Sequence, residues 1–181
     1  MAGHDRVRVA VNGYGVIGKR VADAVARQDD MELVGVVDVA SDWRTRVATE
    51  RNMRLFAANP AAADLMRKSG LRVEGTLEEL LGATDVIVDC TPKKIAAENR
   101  DTYRAHEVKF IMQGGEAHGA TGHSFVAEAN YASAIGRNAT RVVSCNTTSI
   151  VRTLTPLKRA GLLAKARGTL LRCRAGSRRT G

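Results

Sequence analysis

The sequence predicts an α/β protein with a doubly wound, mostly parallel sheet. Short β-branched runs alternate along the chain with amphipathic stretches of helical period. The first run leads directly into a glycine-rich turn and then a helix, which is how a βαβ unit begins. The 181 residues are 44% hydrophobic but only 4% aromatic, so we expect a core built mainly from Val, Leu, Ile and Ala.

The predicted elements follow in chain order. We expect strands over Arg6–Asn12, Glu32–Asp38, Asp85–Cys90, Val108–Met112 and Arg141–Ser144, with a further strand-like stretch over Ala166–Leu171. Helices are expected after the glycine-rich turn to Val25, from Ser41 or Asp42 to about Asn52, from Asn59-Pro60 to Ser69, over Thr76–Leu81, over Lys93–His106 and over Thr147–Ala160. Thr76 and Glu79 have the spacing of a capping box.

A G-x-G-x-x-G motif stands between the first strand and the first helix. Gly13 permits the tight turn, Gly15 lets a pyrophosphate approach the backbone, and Gly18 lets the helix pack closely on the strand. The pyrophosphate is expected on the free N–H groups at the helix start, around Val16 and Ile17. The motif in this context predicts a Rossmann-type dinucleotide-binding domain.

An acidic residue, Asp38, ends the second strand twenty residues after Gly18. A carboxylate there accepts hydrogen bonds from the adenosine ribose and repels a 2′-phosphate, which favours NAD over NADP. The alternative is a solvated acid at a strand end. Arg44 and Arg46 follow closely and would soften the exclusion of NADP.

The cysteine Cys145 follows an apolar run and precedes small polar residues that can start a helix, in the stretch 142–149. A thiol at that position lies at the positive end of the helix dipole, which favours thiolate over thiol. The pattern indicates a nucleophile, and the alternative is a cysteine packed in the core.

Charge and cysteine content bound the other possibilities. The formal net charge is +9, but nine of the 28 basic residues lie in 151–181, which contains no acid, so the first 150 residues are neutral. We therefore expect no nucleic-acid partner, and we also expect no membrane partner and no metal site. The three cysteines (Cys90, Cys145 and Cys173) lack framework spacing and fit a reduced, cytoplasmic setting.

Ligands of such a sheet bind beyond the carboxyl ends of the strands. The glycine loop, Asp38, Thr91, Gly114-Gly115 and Cys145 all fall there and should face one crevice. A dinucleotide beside a thiolate suggests aldehyde oxidation: the cysteine attacks the aldehyde, hydride passes to nicotinamide, and the thioester is released to an acyl acceptor.

Three motifs together resemble type II, archaeal-type phosphorylating glyceraldehyde-3-phosphate dehydrogenase: Val11–Ala24, Gln113–Glu116 and Ser144–Thr148. The resemblance runs from about residue 6 to residue 172. It implies a cytoplasmic homotetramer of glycolysis or gluconeogenesis that uses NAD or NADP with glyceraldehyde 3-phosphate and inorganic phosphate.

The resemblance also implies site residues. Cys145 is the expected nucleophile, and Ser144, Cys145 and Asn146 border the glyceraldehyde 3-phosphate site. Val16, Ile17 and Gly115 contact the nicotinamide cofactor. Many family members carry Lys where this chain has Asp38, which again favours NAD here.

The end of the chain departs from the family. The family continues into a catalytic domain that supplies a general-base His and phosphate-binding residues, and it has an Arg where this chain has Cys173. We expect a Rossmann domain over 1–144, the nucleophile helix and the beginning of a catalytic domain over 145–172, and an aberrant basic tail over 173–181. The chain would then be an inactive fragment, and the alternative is a genuine basic tail.

Two other functions stay open, namely a non-catalytic nucleotide-binding module and an enzyme similar to aspartate-semialdehyde dehydrogenase. His118 and His123 flank a glycine-rich loop near the crevice. We expect solvated side chains there, and the alternative is that one of them reaches Cys145. Cys90 is expected in the core, and Trp43 is expected to be a packing residue at a helix start.

Overall fold

A computed structural model describes residues 6–113 and 115–171. Its strands are β1 (Val7–Asn12), β2 (Met31–Asp38), β3 (Leu55–Ala57), β4 (Gly75–Thr76), β5 (Val86–Asp89), β6 (Lys109–Met112), β7 (Ser124–Phe125) and β8 (Ala139–Val142). Its helices are α1 (Val16–Val25), α2 (Trp43–Glu50), α3 (Pro60–Lys68), α4 (Leu77–Leu81), α5 (Lys93–Ala105), α6 (Ala127–Ala134) and α7 (Cys145–Arg159).

The strands form one sheet in the order β4-β3-β2-β1-β5-β6-β8-β7, and every pairing between neighbours is parallel. The strand order reverses between β1 and β5, and in this fold ligands bind in the crevice at such a point. The predicted doubly wound, parallel α/β fold is confirmed. The described residues contain no helix that is long and apolar enough to cross a membrane.

Local sequence signals set the helix starts. The Asp42 side chain accepts the Arg44 N–H at 2.9 Å and caps α2. Asn59 caps α3 in the same way, with Pro60 in the first turn, where its missing N–H costs nothing. The Thr76 and Glu79 capping box is present at α4. The predicted starts of these helices are therefore confirmed.

Apolar clusters lie on both faces of the sheet, as parallel strands require. On one face Ile87 and Phe110 pack with α4 and with Tyr103 of α5. On the other face Val11 and Val36 pack with the apolar sides of α1 and α3. Together these clusters hold the carboxyl ends of β1, β2 and β5 in place.

Some short elements differ from the prediction. β3, β4, β7 and α6 are not predicted, because each is short and α6 has almost no amphipathic pattern. The predicted strand-like stretch Ala166–Leu171 is wrong: those residues pair with no strand. A strand is stable only when it pairs with a neighbouring strand. The apolar composition of Ala166–Leu171 does not provide such a neighbour. The predicted tail over 173–181, Gly114 and Cys173 lie outside the described residues.

Candidate functional site

The glycine loop joins β1 to α1, and its backbone lies very close to neighbouring backbone atoms. Gly13 has φ +92°, and a Cβ there would come within 2.9 Å of the carbonyl carbon of Cys90 at the end of β5. A Cβ at Gly18 would come within 1.8 Å of the Gly13 carbonyl oxygen. Only hydrogen fits at these positions, so both glycines are required for the helix to start against the strand.

The start of α1 is open towards solvent. Gly15 occupies the N-cap position without a capping side chain, and nothing lies within 4 Å of the place its Cβ would take. Val16 and Ile17 are 71% and 47% exposed. The first N–H groups of α1 therefore have no capping side chain, and the space in front of them is open. Such N–H groups at a helix N-terminus can bind an anion. The cradle therefore fits a pyrophosphate.

Asp38 holds the glycine loop. One carboxylate oxygen accepts the Tyr14 N–H at 2.9 Å, and the other accepts the N–H groups of Val39 at 2.8 Å and Ala40 at 3.0 Å. The side chain is half-buried. Because each oxygen offers about two acceptor positions, the oxygen bound to Tyr14 keeps capacity for a further donor.

Cys145 is the first residue of α7, and its side chain is exposed. Ser144 caps the helix, since its Oγ accepts the Thr147 N–H at 3.3 Å and lies 3.0 Å from the Thr147 hydroxyl. The Cys145 Sγ lies 3.9 Å from Oδ1 of Asn146. The expectation of a cysteine at a helix start is confirmed, with the helix beginning two residues earlier than predicted.

A cleft of about 1020 Å³ lies between α1 and α7. Its walls bring together Ile17 from α1, Gly115 from the turn after β6, and Ser144 and Cys145 from the start of α7. The other predicted site residues lie outside these walls: Gly13, Gly15, Val16, Gly18, Asp38 and Asn146. The cleft thus places the thiol on one side of the glycine loop. Asp38, at the end of β2, contacts the loop through the Tyr14 N–H.

No general base is found among the described residues that line this cleft. Its charged residues are Arg20 and Arg152, and no His, Asp or Glu is found among the described residues that line it. His118 is exposed and bonds the Ser124 hydroxyl through Nδ1 at 2.9 Å. Neither His118 nor His123 is part of the cleft lining.

Two expectations about single side chains are wrong. His123 is buried rather than solvated, and its ring nitrogens bond the hydroxyls of Thr140 at 2.6 Å and Ser133 at 2.9 Å. Burial, with the charges of nearby cations, lowers the pKa of His123. Trp43 is 66% exposed rather than packed in the core, and the Lys19 ammonium lies 3.9 Å from the centroid of its ring.

A buried network of polar side chains lies next to the glycine loop, at the ends of β1 and β5. Tyr103 donates its hydroxyl to Oδ2 of Asp89 at 2.6 Å and accepts from the Asn12 amide at 2.8 Å. The other Asp89 oxygen accepts from the Thr91 N–H at 2.8 Å, and Asn99 donates to Oδ2 at 3.0 Å. The network joins the ends of β1 and β5 to α5. Sequence reasoning missed it, although a polar Asn and Asp at the ends of buried strands were the available signal.

Glu116 and Cys90 are two further groups near the crevice. Glu116 is 3% exposed, and neither carboxylate oxygen has a hydrogen-bond partner among the described residues. Burial raises the pKa of the Cys90 thiol to about 12, with added contributions from the charges of Asp89 and Glu116. Cys90 packs against the core as expected and is unsuited to act as a nucleophile.

The fold and the site define a Rossmann-type nucleotide-binding domain with a cysteine at the start of the helix beside its glycine loop. The chain belongs to the family described as "Dihydrodipicolinate reductase, N-terminus", whose match covers residues 7–148. That match spans all eight strands and the beginning of α7.

Full-length relatives are similar over almost the whole chain. The glyceraldehyde-3-phosphate dehydrogenase of Methanococcoides burtonii is 51% identical over 168 residues, which are 92% of this chain and 50% of that protein. The protein of the same name from Methanothermobacter thermautotrophicus is 46% identical over 166 residues, covering 92% of this chain and 49% of the relative. The resemblance stated from the three motifs is confirmed, and the chain spans about half the length of these relatives.

Solved structures agree on the fold. Aspartate semialdehyde dehydrogenase II of Vibrio cholerae aligns with a TM-score of 0.57 at 16% identity, covering 86% of this chain and 47% of that chain. UDP-N-acetylglucosamine 3-dehydrogenase of Acidithiobacillus ferrooxidans aligns with a TM-score of 0.55 at 19% identity, covering 86% and 43%.

Proposed function

We propose that this chain is the cofactor-binding and nucleophile-bearing half of an NAD(P)-dependent glyceraldehyde-3-phosphate dehydrogenase. The single observation that carries the proposal is the cleft in which Cys145, Ser144, Gly115 and Ile17 meet. The archaeal relatives of that name supply the substrate class, namely glyceraldehyde 3-phosphate with inorganic phosphate.

The open start of α1 binds the pyrophosphate through the N–H groups near Val16 and Ile17, and Asp38 faces the adenosine ribose. NAD is the preferred cofactor, because the Asp38 carboxylate repels a 2′-phosphate, while NADP remains usable. The nicotinamide end then lies towards Ile17 and Gly115, next to the thiol. When bound, the cofactor accepts a hydride from the substrate.

Cys145 supplies the covalent chemistry. Its sulfur lies at a helix start, where the dipole stabilises negative charge, and it attacks the aldehyde carbon to form a hemithioacetal. Loss of hydride from that carbon and of the hydroxyl proton to a base produces a thioester on Cys145. Phosphate then attacks the thioester carbon, the thiolate leaves, and 1,3-bisphosphoglycerate is released.

The 181-residue chain alone is expected to turn over little. The described lining of the cleft offers no His, Asp or Glu to take the hydroxyl proton, and a missing general base typically costs on the order of 10²–10⁴ in rate. A cytoplasmic homotetramer is the proposed active form. The same lack of a base favours the second candidate, a nucleotide-binding module without catalysis.

Alkylation of Cys145 separates the two candidates. Iodoacetamide at neutral pH should label Cys145 faster than free cysteine, and NAD should slow the labelling, if the chain retains an enzyme's nucleophile. A rate equal to that of free cysteine and indifferent to NAD favours the module. In parallel, NADH formation from glyceraldehyde 3-phosphate and phosphate should be barely detectable. Turnover of about one per second or faster that Cys145→Ser abolishes would overturn the expected inactivity.

A further inference from the structure

The indole of Trp43 is mostly exposed and belongs to none of the apolar core clusters. Its side chain is 66% exposed at the first position of α2. Tryptophan is enriched at interfaces, where part of the ring system is packed and another part stays in water. The position is nevertheless fixed, because the Asp42 cap holds the start of the helix through the Arg44 N–H at 2.9 Å.

Trp43 is also tied to the glycine loop. The Lys19 ammonium lies 3.9 Å from the centroid of the Trp43 ring and 5.8 Å from the centroid of the Tyr14 ring. Tyr14 belongs to the loop, and its N–H is held by Asp38. The Lys19 side chain therefore connects the indole with the first turn of α1, on the side of β2.

The two ends of a dinucleotide would leave this turn in opposite directions. Ile17 lines the Cys145 cleft, and Lys19 lies two residues later, roughly 200° further around the helix axis. If the nicotinamide end lies towards Ile17 and Cys145, the adenosine end passes Asp38 and reaches the start of α2. This step rests on the proposed function.

We infer that Trp43 is the stacking platform for the adenine ring of the dinucleotide. Lys19 covers part of the indole, and the remaining surface is open to a planar base. Stacking of a base on an aromatic side chain does not need hydrogen bonds to the base edge. The ligand recognised here is an adenosine phosphate, and the free protein holds the ring ready for it.

The experiment uses intrinsic fluorescence, because Trp43 is the only tryptophan in the chain. AMP and NAD should quench its emission, and nicotinamide mononucleotide, which lacks adenine, should not. Trp43→Ala should weaken the binding of AMP and NAD roughly tenfold in calorimetry, and Trp43→Phe should retain most of the affinity. Binding of nicotinamide mononucleotide should be the same in all three proteins.

Tyr131 provides a matched control, since it is also 66% exposed but lies on α6 against Phe125. Tyr131→Ala should leave AMP affinity unchanged. The inference is overturned if NAD binds but Trp43→Ala binds it equally well, or if the fluorescence responds only to protein concentration, which would indicate a contact between copies. If no nucleotide binds the unmutated protein, the proposed function fails together with this inference.

Discussion

The Asp38 carboxylate accepts the backbone N–H of Tyr14 at 2.9 Å and so ties the end of β2 to the glycine loop. The same side chain binds two N–H groups of its own following turn, those of Val39 and Ala40. A residue expected to read the ribose therefore also shapes the loop that holds the pyrophosphate. Its substitution should affect both stability and cofactor choice.

Asp38→Ala should lower the free energy of unfolding by about 1–3 kcal/mol, because it leaves backbone donors without their acceptor. It should also narrow the difference between NAD and NADP affinity, since the negative charge is lost. Urea unfolding and calorimetry measure the two effects. Asp85→Ala, which removes an exposed pair with Arg8, is the control and should leave the NAD to NADP ratio unchanged. Equal affinities for NAD and NADP in the unmutated protein would sink the assigned preference.

Gly18 and Gly15 should respond differently to the same change. Gly18→Ala places a methyl group 1.8 Å from the Gly13 carbonyl oxygen and should destabilise the fold by about 3 kcal/mol or more. Gly15→Ala meets nothing within 4 Å, so it should fold normally but bind NAD more weakly, because the methyl group stands where the pyrophosphate approaches. Thermal unfolding and NAD titration check the pair. A stable Gly18→Ala protein would contradict the loop geometry.

Tyr103→Phe should destabilise the protein by about 1–3 kcal/mol. The hydroxyl bridges Asn12 and Asp89 in a fully buried site, and its loss leaves both groups short of a partner. Denaturant unfolding gives the measurement. Tyr131→Phe changes an exposed ring and serves as the control, with an expected change within about 0.5 kcal/mol. Equal stability of the two variants would show that the network contributes little.

Alkaline pH should destabilise the fold through Cys90. Its thiol pKa rises from 9.0 to about 12 on folding, so between those values the unfolded chain loses a proton that the native state keeps. Stability from this group is fully present below about pH 9 and falls by about 1.4 kcal/mol per pH unit above it. Cys90→Ser should flatten the decline in urea unfolding relative to the unmutated protein. Cys145→Ser, at an exposed position, should not, and parallel pH profiles for all three would refute the assignment.

Much of the fold was accessible from local patterns. The glycine spacing, the Asp42 and Asn59 caps, and the Thr76 capping box act over a few residues, so their consequences could be predicted directly. β7 and α6 were not accessible in this way. β7 has two residues and forms only because β8 lies beside it and pairs with it. α6 carries no helical apolar stripe to identify it.

The features of the site also fall into those set by local sequence and those set by tertiary structure. The sequence by itself determined the glycine cradle, the acid at the end of β2 and a cysteine at a helix start, because each depends on neighbours in the chain. Tertiary structure decided that Cys145 shares a cleft with Ile17 and Gly115, that His123 is buried, and that Trp43 is exposed. Those facts depend on which strands lie side by side and on what packs against each helix. Such contacts arise between residues remote in sequence, and no local pattern encodes them.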